Sequence, residues 1–160
     1  MTATLGNTVA QETSIAVVPI ASPTSRAGAI AWCSILAGAL SGLLMGLWSF
    51  DGPFPPPEWI GEYNSLARRF LRLAHTAMFA LGVLHMIVAR QIAAAPVRPD
   101  LDRFALIAMA LGNIGMPVVL IAAAIWQPFK YLASIPALAV TAAIAIAAAS
   151  AIRQHQRGLR

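Results

Sequence analysis

Charge is what this chain has least of. Among 160 residues there are 11 Lys or Arg and 6 Asp or Glu, so 11% are charged. A soluble domain carries roughly 25%. That shortage excludes an ordinary solvated domain and calls for long uncharged apolar stretches. The net charge of +5 has no compact basic run behind it. Nucleic acid is therefore not the expected partner, and arginines flanking membrane spans explain the excess.

Cysteine is nearly missing too. Cys33 stands alone, which excludes an internal disulfide and a Cys-based zinc site within one chain. Inside an apolar run it reads as a small buried hydrophobe. Residues 1–25 contain no Lys or Arg, so no cleavable secretion signal is expected. The apolar stretches carry no carboxylate, which argues against a proton-coupled transporter of the usual kind. A phosphate-cradling glycine loop, HExxH, a CxxC pair and a GxSxG elbow are all missing. Four spans without an inverted repeat also argue against a secondary transporter.

What is present is apolar: 59% of residues are hydrophobic. The run from Gly28 to Phe50 is long enough, at 1.5 Å per residue, to cross a hydrocarbon core of roughly 30 Å. Three more runs follow. The expected fold is all-α, a polytopic membrane protein with a four-transmembrane-helix bundle over residues 28–152. Its spans are 28–50, 70–92, 103–126 and 131–152. A flexible N-terminal tail over 1–27 and a basic C-terminal tail over 153–160 complete the chain. The second helix should start at a cap on Asn64 or Ser65, with its apolar part from Leu73 to Ala89. Pro96 and Pro99 should close it. Pro117 should kink the third helix, since it cannot donate to the Asn113 carbonyl.

Gly38, Gly42 and Gly46 repeat every four residues and share one face of the first helix. Small residues there let another helix approach closely. That helix could belong to this chain, to a second copy in a homodimer, or to a partner membrane subunit. Ser34 and Ser41 lie near the same face and could bond across it. Asn113 is an amide near mid-membrane, where an unsatisfied polar group costs several kcal/mol. It should face another helix, a water or a bound molecule.

The loop between the first two spans is rich in proline and aromatic residues. Its acids Asp51, Glu58 and Glu62 stand close in sequence to Arg68, Arg69 and Arg72. The cluster reads as ion pairs pinning the loop over the helix start, or as a site for an anionic headgroup. Trp48, Phe50, Phe54, Trp59, Tyr63, Phe70, Trp126, Phe129 and Tyr131 all fall at one end of the bundle, as an outer cap or docking surface. The other end holds Arg26, Arg90, Arg98, Arg103, Arg153, Arg157 and Arg160, against Arg68, Arg69, Arg72 and Lys130 at the loop end. Seven against four places both termini in the cytoplasm of a cell whose inner membrane the protein crosses several times.

His75 and His85 are the only histidines within the spans. They stand about 15 Å apart along the helix and roughly 80° apart around it. One metal ion cannot bind both, and an intrachain bis-histidine haem is excluded because no other span carries a histidine. Haem b remains open with one histidine from each of two protomers, with a ligand from a partner subunit, or with Met109 or Met116 as the second axial ligand. Three functional readings follow. The first is a non-enzymatic accessory or structural subunit of a membrane complex, a respiratory complex being one such. The second is a b-type haem electron-transfer protein using His75, with His85 as a further candidate and the second ligand from a partner or a methionine. The third is a small-molecule channel or carrier lined by Asn113 and the Pro117 kink.

Overall fold

The structure is a computed structural model and describes residues 26–49 and 52–159. Residues 1–25 of the expected N-terminal tail, Phe50, Asp51 and Arg160 lie outside the described residues, while Arg26 and Ala27 belong to α1 rather than to the tail. The described chain is helical: α1 (Arg26–Gly46), α2 (Leu66–Ala94), α3 (Pro99–Ile125) and α4 (Ser134–Gly158), with short 3-10 segments at Glu58–Ile60 and Gln127–Ala133. All four α-helices are long and apolar enough to cross a membrane.

Several boundaries differ from expectation, each for a local reason. α1 stops at Gly46 rather than Phe50. Trp48 and Ser49 bond three residues back, to Met45 and Gly46, which tightens the last turn. The loop then folds back, and the Phe54 amide donates to the Leu47 carbonyl at 3.2 Å. Ser65 caps α2, its hydroxyl accepting from the Arg68 amide at 3.2 Å. Pro99 opens α3 instead of closing α2. Its missing N–H costs nothing at a first helical position. Asp102 accepts from the Val97 amide at 3.2 Å, and Asp100 joins it in the first turn, where the helix dipole favours acids. α4 runs on to Gly158, so 153–157 are helical rather than a separate tail. α3 continues as one helix through Pro117.

α2 and α3 form the central pair. α1 packs along α2 and only lightly on α3, while α4 packs on α3 and part of α2. The core therefore sits between α2, α3 and α4, around Val88, Ile92, Ala105, Met109, Val140 and Ala143. α1 buries only Ala31 and Gly38. Its outer face, with Leu36 and Leu43, is exposed, as are Ile87, Ile107, Ile125 and Leu138 on the other helices. An apolar exterior of this extent suits a hydrocarbon solvent. The same reasoning corrects Cys33, which is exposed rather than buried: in a bundle this thin an apolar run need not face inward.

Close approach is set by two glycines of the α1–α2 seam. A Cβ at Gly82 would lie 2.7 Å from Cγ1 of Ile35 and 3.0 Å from the Ala31 carbonyl oxygen. A Cβ at Gly42 would lie 2.6 Å from Cε1 of His75. Gly38 packs on Met78 and Phe79, so Gly38 and Gly42 pack within the chain. Gly46 has open space around it.

Candidate functional site

Three polar residues from three helices meet inside the bundle. Ser34 comes from α1, His85 from α2 and Asn113 from α3. His85 and Asn113 are 0% and 1% exposed. The Ser34 hydroxyl lies 2.8 Å from Asn113 Oδ1 and 3.0 Å from the Met78 carbonyl. Asn113 Nδ2 lies 3.3 Å from His85 Nδ1. The Ser34 hydroxyl has one proton for its two acceptors: with the amide nitrogen turned to His85, Nδ1 accepts and the ring proton sits on Nε2, whereas with the amide turned over the ring is protonated on Nδ1. That Nε2 is buried and has no hydrogen-bond partner among the described residues.

His75 is held differently. Its Nδ1 lies 2.8 Å from the Gly38 carbonyl and 3.1 Å from the Ser41 hydroxyl. A carbonyl only accepts, so Nδ1 carries the proton and Nε2 keeps its lone pair. The ring sits edge-on to Phe79, centroids 5.3 Å apart, over the gap left by Gly42. The two histidines thus serve opposite neighbours: His75 faces α1 and His85 reaches Asn113 on α3. Met109 is fully buried in the α2–α3–α4 core, and Met116 is half-buried on α3. Among the described residues no three His, Cys, Asp or Glu side chains cluster as a metal site.

Two apolar clefts lie between α1 and α3. One, of about 400 Å³, is lined by Cys33, Ser34, Met78, Asn113 and Pro117 among others. The second, of about 520 Å³, is lined by Arg26, His85, Ala89, Leu106 and Ala110 among others. Ile30 lines both; Ser34 and Asn113 line the first, and His85 the second.

At the loop end Arg68 and Arg72 take backbone carbonyls as partners. Arg68 donates to the Trp48 carbonyl at 2.6 Å, and Arg72 to the Tyr63 carbonyl at 3.4 Å. Both guanidinium groups also lie over the Tyr63 ring, at 5.6 and 4.7 Å. Glu58, Glu62 and Arg69 are exposed. Ile60 is buried under the loop and anchors it.

Sequence reasoning passed over a second polar clip. Gln91 Nε2 lies 3.4 Å from the Ser150 hydroxyl and 3.4 Å from Gln154 Oε1, and Ser150 donates to the Ala95 carbonyl. This ties the end of α2 to α4. A serine deep in an alanine-rich run, Ser150, was the available signal. Gly82 was also passed over, because it belongs to no glycine repeat.

The fold and these contacts define a class: an all-helical four-helix bundle with apolar helices of membrane-spanning length and a polar junction inside. Comparison with family models, with curated proteins and with solved structures returns no match for this chain.

Proposed function

We propose that this chain is a non-enzymatic accessory subunit of a larger complex in the inner membrane, with both termini in the cytoplasm. One observation carries the reading. Every Trp and Tyr except Trp32 belongs to the two connections at the loop end or to the helix ends beside them. Phe54, Trp59, Tyr63, Trp126 and Tyr131 are 48–74% exposed there. Interfacial aromatics usually form belts at both membrane surfaces. A one-sided patch, on a loop stiffened by Pro53 and Pro55–Pro57 and held by Arg68, has the character of a docking surface.

The test is native electrophoresis of membranes extracted in mild detergent. The chain should migrate in an assembly far larger than its 16.8 kDa. A Phe54→Ala/Trp59→Ala double variant should shift it to a small species with the helices intact. A wild-type chain that always migrates as a monomer would overturn the reading.

A second reading, a b-type haem subunit, has one specific observation in its favour. The bond from His75 Nδ1 to a backbone carbonyl is the outer partner that metal-ligating histidines normally have, and it leaves Nε2 free to coordinate. A dithionite-minus-oxidised spectrum tests it. A sharp α band lost in His75→Ala supports it; a flat spectrum from haem-replete cells discards it.

A further inference from the structure

The groove between α1 and α3 contains features the subunit reading does not use. Its two clefts are apolar and share Ile30, and one is lined by His85, whose buried Nε2 has no hydrogen-bond partner among the described residues. From Leu106 to Ile121, the α3 residues that line it span about 22 Å at 1.5 Å per residue. One leaflet of a roughly 30 Å core is about 15 Å deep. The groove is therefore long enough for an acyl chain. Arg26 lies at its terminal end, at the start of α1. Ile30, about 6 Å further along α1, lines the same cleft as His85.

We propose that this groove binds one anionic glycerophospholipid. Its phosphate pairs with Arg26, an ester carbonyl accepts from His85 Nε2–H, and one acyl chain lies along the groove toward Ile121. The order of groups matches the lipid: anion, then carbonyl about one turn deeper, then chain. Charge decides against a neutral apolar occupant, since the one polar residue at the cleft's outer end is a cation. An orphaned buried donor costs about 1–3 kcal/mol, and a lipid carbonyl would remove that cost. His85 shows no surface to water, so the carbonyl reaches it only as the groove walls part. α1 is the wall that would have to shift, since it packs only lightly on α3 and the Ser34–Asn113 hydrogen bond is the polar tie between them.

The experiment reconstitutes the full chain with dioleoyl phosphatidylglycerol or dioleoyl phosphatidylcholine. The protein is then extracted in dodecyl maltoside, washed by gel filtration and weighed by native mass spectrometry. Wild type should retain one phosphatidylglycerol per chain, at least fivefold more often than phosphatidylcholine. Arg26→Gln, at an exposed helix start, should erase that preference without lowering the thermal midpoint. Ala110→Phe, which fills the cleft, should abolish retention of both lipids. His85→Leu should lower retention of both. Helix content checks that each variant is folded. Equal retention of both lipids by wild type, or unchanged preference in Arg26→Gln, overturns the proposal. So does a quinone or haem that co-purifies in a His85-dependent way.

Discussion

Asn113 joins three helices through one amide. Its oxygen lies within reach of Ser34 and its nitrogen within reach of His85. Replacing it with leucine keeps the volume but leaves the Ser34 hydroxyl to the Met78 carbonyl alone and strips His85 Nδ1 of its donor. We expect Asn113→Leu to cost about 1–3 kcal/mol. A thermal unfolding midpoint several degrees lower in detergent is the readout. Ser34→Ala should cost less, about 0.6 kcal/mol, as is typical for a hydroxyl between membrane helices. The two changes should not add, since they share one junction. Additive losses would mean that the junction is not a unit.

At the scale of elements, α1 is the helix most exposed to a single change. It is held by its glycine face against α2 and buries little else. Gly82→Val places branched carbon where Ile35 and the Ala31 carbonyl already sit, and we expect an overpacking cost of about 1–3 kcal/mol. Limited proteolysis should then cut the loop between α1 and α2 faster than in wild type. Gly46→Ala is the control, expected within about 0.5 kcal/mol of wild type because nothing lies near its Cβ position. The start of α3 has its own test. Asp102→Ala removes the acceptor for the Val97 amide and should cost about 1 kcal/mol.

For the whole molecule, the even number of helices puts the start of α1 and the end of α4 at the same end of the bundle. The α2–α3 connection shares that end, because Ala94–Val97 lie beside Ser150 and Arg153–Arg157 in one cleft. With six arginines among the described residues toward this end, reporters fused to either terminus should both read as cytoplasmic. A pair of reporters on opposite sides would require one helix not to span. Opposite orientation of both would reverse the charge argument. The exposed aromatic end would then face the cytoplasm, and any partner docking there would be sought on that side.

The sequence by itself determined the class of fold, because length and apolarity alone decide whether a helix can satisfy its backbone in lipid. It also marked the residues that would need partners. Asn113, His75 and His85 stand out as polar groups in apolar helices, and Ser65 as a cap. What it could not carry was who meets whom. The Gly38–Gly42 face accepts α2 through His75 and Phe79, yet its spacing would serve a second copy equally well. His85 is tied to Asn113 and His75 to a backbone carbonyl, a difference that no pattern of spacing encodes. Arg68 and Arg72 reach backbone carbonyls and a tyrosine ring, which no spacing of charges in the loop foretells. Cys33 faces outward although its neighbours are apolar. In a soluble protein hydrophobicity separates inside from outside. Here the outside is apolar too, so burial, partnership and the lipid-sized groove were decided by tertiary packing.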